Sequence, residues 1–339
     1  MARSPDRVRN VYFLGAGFGK AAGLPNTAEL LLQAHALSGS NAHWGVSVKI
    51  GERLDDAYDY FYPDHANLFR PAVPDFFQVL TTYSEIAAEG LPQGFDDRAL
   101  LTDLKFVIAR LLTQNASQLE QALNKPHAFL DQLIQPGNVV ITTNWDLLVE
   151  KAAALRQVPL RLTGTPSDSS LVLLKLHGSI DWTLKTKAKK TMAQVHYASP
   201  KDLLNSNRQR PHSLVSGPIV RTKGALDRWT AAYQAVKGAT DEPYMLTMAR
   251  GKADLIKPVL AIWADAYRAI SSARRLHIVG YSMPDDDVEI RTLLRAGCRR
   301  GSANPEVLVK NPAPDVHVRV RTQVHDEIQP DYAPIAPIE

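Results

Sequence analysis

The stretch Val11-Tyr-Phe-Leu-Gly15-Ala-Gly17-Phe-Gly19-Lys-Ala-Ala-Gly23-Leu-Pro25 decides the fold. Four apolar residues run straight into a glycine-rich turn, and a helical pattern follows from about Thr27 to Leu37. This is the layout of a buried parallel strand that ends at a phosphate-binding turn. Gly15 and Gly17 would let backbone N–H groups approach a phosphate, and the following helix would present its positive N-terminal end. A plain strand-to-helix turn explains the same residues. The spacing Gly15-x-Gly17-x-Gly19 is tighter than G-x-G-x-x-G, and Lys20 is not followed by Ser or Thr as a P-loop requires.

Three more stretches repeat the pattern of an apolar strand ending at glycine or a polar residue. Asn138-Val-Val-Ile-Thr-Thr-Asn144 is short, β-branched and bounded by Pro136-Gly137; it leads through Trp145-Asp146 into a helix reaching about Leu155. Leu171-Val-Leu-Leu-Lys-Leu ends at His177-Gly178-Ser179, and Arg275-Leu-His-Ile-Val ends at Gly280-Tyr281-Ser282. The expectation is an α/β, Rossmann-like parallel sheet with helices on both faces. The carboxyl ends of such strands lie along one edge, and ligands bind in the crevice outside it, where strand order reverses. Val307–Val309 and Val316–Val320 are final strand candidates, the second alternating valine with His317 and Arg319.

The core is expected from residues 1–37 and 136–325. Residues 38–135 read as a helical insertion, with helices near 54–62, after Asp75 as an N-cap, 101–112 and 126–133. Aspartates 55, 56, 59 and 64 are not at calcium-loop spacing and read as a solvated acidic face. Residues 183–242 form a second insertion with weak periodicity, a possible helix at 229–236, and a strand candidate after it at 243–247. From Lys185 to Lys237 it holds eleven Lys/Arg against two acids, on a chain whose overall charge is +4. It is either a solvated insertion or a contact for a polyanion, nucleic acid included. Leu255–Ile270 reads as an amphipathic helix. The tail 326–339, with Pro330, Pro334 and Pro337, reads as loosely held.

No run of about 18 apolar residues predicts a membrane span, and the charged N-terminus passes directly into the first strand. The single cysteine, Cys298, excludes an internal disulfide and a cysteine-based zinc site within the chain. A cytoplasmic protein without a metal is expected.

Taken together and in order, Gly15-Ala16-Gly17-Phe18-Gly19 with Gly23-Leu-Pro25, Thr142-Thr-Asn144-Trp-Asp146, Lys175-Leu-His177-Gly178-Ser-Ile-Asp-Trp182 and Gly280-Tyr281-Ser282-Met-Pro-Asp-Asp-Asp287 resemble the sirtuin-like superfamily, in its bacterial branch lacking the zinc ribbon. The resemblance spans about 11–296, and the two insertions match little. It implies an NAD-binding domain. Gly15, Ala16, Gly17, Phe18 and Pro25 would belong to the pyrophosphate turn. Asn144 would meet the nicotinamide-side ribose and help place a nucleophile, and Asp146 would hold the carboxamide. His177, followed by Gly178, would be the general base, and Gly280, Tyr281 and Ser282 would line the adenosine side. Gly19 stands where a small hydroxyl residue is usual. The four-cysteine module that shapes an acyl-peptide cleft cannot exist here, which disfavours protein deacylation.

The chemistry implied is hydrolysis. Cleavage of the nicotinamide–ribose bond passes through an oxocarbenium-like state, and nicotinamide departs neutral, so no strong acid is needed. A histidine suits the base for an attacking oxygen, and an asparagine can orient hydroxyls and water without adding charge. The expectation is an NAD glycohydrolase releasing nicotinamide and ADP-ribose, an NAD-depleting effector of anti-phage defence activated by a protein partner or by homo-oligomerisation. The alternative is a non-catalytic NAD or ADP-ribose sensor. On the residues alone, the lesser readings are His177 as a structural hydrogen-bonder and Asn144 as a cap of the helix starting at Trp145. His277 reads as a satisfied core histidine, Asp181 and Asp285–Asp287 as caps or ribose ligands, and Trp182 and Trp263 as core.

Overall fold

The computed structural model describes residues 10–38, 50–63, 73–88, 100–113, 116–164, 168–184, 213–216, 219–221, 243–246, 256–285, 287–299 and 305–339. Its strands are β1 (Asn10–Leu14), β2 (Val139–Thr142), β3 (Leu160–Arg161), β4 (Leu171–Lys175), β5 (Gly178–Leu184), β6 (Ser213–Ser216), β7 (Ile219–Arg221), β8 (Pro243–Met245), β9 (Arg275–Val279), β10 (Glu306–Lys310) and β11 (Gln329–Asp331). Seven form one parallel sheet in the order β11-β10-β9-β1-β2-β4-β3. The fold is α/β and Rossmann-like. From β1 the chain builds outward through β2 to β4 and β3, then resumes on the other side of β1 with β9, β10 and β11. The reversal of strand order therefore lies between β1 and β9, where such sheets carry their crevice. β2 and β4 are buried at every position, as are Val11–Leu14 of β1. Continuous apolar runs of this kind fit strands covered on both faces.

The helices are α1 (Ala16–Ala21), α2 (Thr27–Ser38), α3 (Ile50–Phe61), α4 (Val73–Ala88), α5 (Leu100–Leu111), α6 (Ala116–Leu123), α7 (Ala128–Leu133), α8 (Leu148–Leu155), α9 (Leu260–Ser272), α10 (Val288–Arg299) and α11 (Pro314–Gln323). Two apolar clusters organise them. The larger packs α1 and α6 to α11 around the parallel sheet. The smaller joins α2, α3, α4 and α5 to Trp145, Ile180 and Met245. The helical insertion is thus seated on the turn after β2 and on a second sheet, β6-β7-β5-β8, whose described pairings are antiparallel.

Several expectations change. The first helix begins at Ala16, inside the glycine turn itself, a whole element before Thr27. Asn26 then caps α2 reciprocally: Glu29 N–H donates to Asn26 Oδ1 at 3.1 Å, and Asn26 N–H donates to Glu29 Oε2 at 3.1 Å. Helix α4 starts at Val73, so Asp75 lies within its first turn rather than at the cap. Asp56 and Asp59 are exposed on α3, and Asp55 pairs with His35. Val316–Val320 is helical, not a strand: Pro314 opens α11, Val316 and Val320 share its buried face, and Val318 is 59 % exposed. An alternation of valines had suggested period two, but Val316 and Val320 are also one helical turn apart.

The tail is not loose. β11 extends the sheet beyond residue 325, pairing Leu308 with Gln329 and Lys310 with Asp331. Ile338 is buried, and its N–H donates to Ala21 O at 2.7 Å. Most of the basic window, including the 229–236 helix expectation, and the loop at 39–43 lie outside the described residues.

Candidate functional site

A cleft of about 790 Å³ opens along the carboxyl ends of β4, β2, β1, β9 and β10. These five strands are neighbours in that order. At roughly 4.8 Å per strand, their ends span about 19 Å. His177 follows β4, Asn144 and Asp146 follow β2, the glycine turn follows β1, Gly280 follows β9 and Asn311 follows β10.

At the centre, two turns are pressed backbone to backbone. Gly15 N–H donates to Val279 O at 3.0 Å, and Gly17 N–H donates to Gly280 O at 2.8 Å. A Cβ on Gly15 would stand 2.5 Å from Tyr281 Cα, and one on Gly17 would stand 2.8 Å from Gly280 O. Gly280 has φ +61°, and its own Cβ would stand 2.5 Å from Phe18 N. These glycines are dictated by the contact between the turns. Phe18 N–H is likewise spent on Gly15 O, at 3.0 Å. The picture of Gly15 and Gly17 offering their N–H groups to a phosphate is therefore corrected. Ala16, Gly17 and Lys20 still line the cleft here, with Pro25 and Asn26 beside them.

On the β2 side, Thr142 Oγ1 donates to Leu14 O at 2.9 Å and accepts Asn144 N–H at 3.0 Å. Asn144 Nδ2 then donates to Gly15 O at 3.1 Å. This fixes the amide plane and leaves Oδ1 as an acceptor with no hydrogen bond among the described residues. Asn144 is not a helix cap: α8 begins at Leu148, whose N–H donates to Asp146 Oδ1 at 2.9 Å. Burial pushes the Asp146 carboxyl above the usual carboxylate range, against the opposing pull of the Lys175 ammonium and the Leu148 N–H.

On the β4 side, His177 lines the cleft and is buried. Its carbonyl accepts Trp145 Nε1–H at 3.1 Å and Leu246 N–H at 2.9 Å, and Trp263 Nε1–H donates to Leu176 O at 3.1 Å. Two buried tryptophans thus set the position of the histidine backbone. Beneath lies an ion pair absent from the residue-based reading of the site. Lys175 and Glu150, 1 % and 2 % exposed, meet at 3.0 Å. Lys175 Nζ also donates to Asp146 O, to Trp145 O at 3.3 Å and to Ser179 Oγ at 2.8 Å, and Ser179 Oγ donates to Asp181 Oδ1 at 2.7 Å. One buried ammonium therefore ties the 145–146 turn to the segment after His177. The signal in sequence was a lysine at the end of an otherwise apolar strand.

On the β9 and β10 side, Tyr281 OH donates to Asp287 Oδ2 at 3.0 Å. Asn311 Nδ2 donates to Tyr281 O at 3.2 Å, and Asn311 Oδ1 accepts Ala313 N–H at 2.9 Å. Asp287 precedes α10, and its carbonyl accepts Arg291 N–H at 3.1 Å. Ser282 is exposed at the cleft, and Pro312, Pro334 and Ile335 complete this end.

Of the expected site residues, Ala16, Gly17, Pro25, Asn144, Asp146, His177, Gly280, Tyr281 and Ser282 line one cleft. Gly15, Phe18 and Gly178 do not. Phe18 is core, tilted against Phe129 at 5.8 Å between ring centroids. Gly178 has φ +80°, and a Cβ there would stand 2.1 Å from Tyr244 O, so the contact with β8 dictates it. His277 is half-buried and stacked on Tyr12 at 4.5 Å, but it is not a satisfied core histidine: its Nε2 has no hydrogen-bond partner among the described residues. No described helix is long and apolar enough to cross a membrane. No protein-family model matches the chain, and no curated protein matches it.

Proposed function

We propose that the protein is an NAD glycohydrolase that cleaves the nicotinamide–ribose bond with water. The observation that carries the reading is the pairing of Asn144 and His177. They stand at the ends of adjacent strands in one cleft, with the Asn144 amide anchored on Gly15 O and its Oδ1 left as an acceptor. The volume of about 790 Å³ falls within the usual range of small-molecule sites, and a crevice about 19 Å long suits an extended dinucleotide better than a single nucleotide. The resemblance of the four strand-end motifs to the sirtuin-like superfamily supports the same substrate.

In this reading the nicotinamide ribose lies at the β2–β4 end. Asn144 Oδ1 accepts from a ribose hydroxyl or from the attacking water. Asp146, its carboxyl pushed by burial above the usual carboxylate range, faces the carboxamide. As the bond between C1′ and the ring nitrogen breaks, nicotinamide leaves with the electron pair and becomes neutral. Water oxygen bonds C1′, and its proton passes to His177. Nearer the glycine turn, Ser282 is an exposed polar side chain that can meet the diphosphate, and Lys20, paired with Glu29, is the nearby cation. NAD depletion in anti-phage defence, gated by a partner or by self-association, is the biological role we infer.

A second reading, NAD or ADP-ribose binding without turnover, is favoured by Gly19. A Cβ there would stand 3.5 Å from Asp146 Oδ2, so a hydroxyl residue would reach the carboxylate and glycine does not. Incubation of the purified protein with NAD, with nicotinamide and ADP-ribose quantified, separates the two. Stoichiometric product formation beyond one turnover supports hydrolysis. Calorimetric binding with no product, in every oligomeric or partner-bound state, supports the sensor.

A further inference from the structure

The two ends of the cleft call for different ligand chemistry. At the β2–β4 end Asn144 keeps an acceptor for a ligand. At the β10 end the side chains of Tyr281 and Asn311 are engaged within the protein: Tyr281 OH by Asp287, and the Asn311 amide by Tyr281 O and Ala313 N–H. Beyond the exposed Ser282, the surfaces left there are Pro312, Pro334 and Ile335, which recognise shape and apolar area rather than hydrogen bonds.

Two of these three belong to the segment that follows β11. It is held at several points. Ala333 N–H donates to Asp331 Oδ1 at 2.9 Å, and the Tyr332 ring lies 4.3 Å from that of His317. Ile335 is half-buried against the main core, Ala336 O lies 3.3 Å from His127 Nε2, and Ile338 is buried with its N–H on Ala21 O. The segment therefore runs from the sheet edge beyond β10 back to α1, the helix of the glycine turn.

We propose that Tyr332–Ile338 is a strap that builds the base-binding end of the cleft. Pro334 and Ile335 receive the flat face of a purine, and the anchor of Ile338 on α1 couples that end to the diphosphate turn. The inference rests on the dinucleotide reading and deepens it by assigning the adenine half to a segment outside the four strand-end motifs. Proline at 334 and 337 limits the conformations the strap loses on docking.

The test is titration of the full chain with ADP-ribose and with nicotinamide mononucleotide, alongside amide hydrogen exchange at Ile338. In the wild type, ADP-ribose slows exchange of the Ile338 amide and nicotinamide mononucleotide does not. Ile335→Ala and Ile338→Asp each weaken ADP-ribose binding about tenfold and leave the mononucleotide affinity unchanged. If Ile338→Asp lowers the melting temperature, Ile335→Ala and the wild-type exchange data decide. Unchanged ADP-ribose affinity in Ile335→Ala together with unchanged Ile338 exchange overturns the strap while leaving the dinucleotide reading in place. A wild type that binds mononucleotide and ADP-ribose equally poorly overturns both.

Discussion

The β2–β4 end of the cleft and its centre are built on opposite terms. Around Asn144, Asp146 and His177, position is held by side chains: an ion pair buried at 1 % and 2 % exposure, two tryptophan N–H groups and a threonine hydroxyl. Around Gly15, Gly17 and Gly280, position is held by backbone against backbone at distances no side chain would fit. The first arrangement can be disconnected one partner at a time, and it is suited to presenting reactive groups. The second has no adjustable part, and it is suited to fixing where a ligand's middle must lie. A site that must both grip a long substrate and act on one bond needs both.

The contrast can be broken most sharply at the reacting end. His177→Ala is expected to lower nicotinamide release by about 10²–10⁴-fold while the NAD dissociation constant, read by calorimetry, changes little. An equal loss in binding and turnover would place His177 in ligand positioning rather than in proton transfer. Next in size, Lys175→Met leaves the Glu150 carboxylate buried without its cation, at a cost of about 3–5 kcal/mol in urea unfolding. Lys175→Met with Glu150→Leu is expected to recover most of it. Recovery of stability without recovery of nicotinamide release would show that the pair serves to place Asp146 and Trp145.

A third expectation concerns pH. Burial, with Arg275 adding to it, lowers the His277 pKa from 6.5 to about 4. The folded state thus prefers the neutral ring, and the unfolded chain binds the extra proton first. Stability from this group is full above pH about 6.5 and is lost as pH falls toward 4, by at most about 3 kcal/mol, less for the part of the ring that water reaches. Melting temperatures from pH 7 to 4 check it, and His277→Gln should flatten that part of the profile. The smallest effect belongs to the junction of these two regions. Gly19→Ser brings a hydroxyl toward Asp146 Oδ2 and is expected to tighten NAD binding by about three- to tenfold. No change would remove Gly19 as the argument for a silent binding module.

What could be read beforehand followed from whether a residue's role is local. Strands β1, β2 and β4 were legible because a strand covered on both faces must be continuously apolar, β9 from Leu276, Ile278 and Val279 running into a glycine turn, and the strand ends brought Asn144, Asp146, His177 and Gly280 to one edge. Helix α1 was not legible, since six residues with two glycines have poor helical propensity; its first turn is imposed by Gly280 O, more than 260 positions away. Gly15 and Gly178 show the matching limit. A glycine needed for contact with another backbone looks the same in sequence as one needed for a phosphate. The tail was misread because three prolines suggest a free end, whereas its anchors are Ala21, His127 and His317 on distant elements. Glu150 looks like an ordinary surface charge until the fold encloses it against Lys175.

The short strand β11 has a consequence for association. It is the last strand on its side of the sheet, only three residues long, and its middle residue is Pro330, which has no N–H to offer a neighbour. The opposite edge is β3, with two residues. Neither border can template a further strand, which guards the sheet against edge-to-edge aggregation. Among the described residues, self-assembly of the kind proposed would therefore be built from helical faces or from the second sheet, leaving the parallel sheet at its seven described strands.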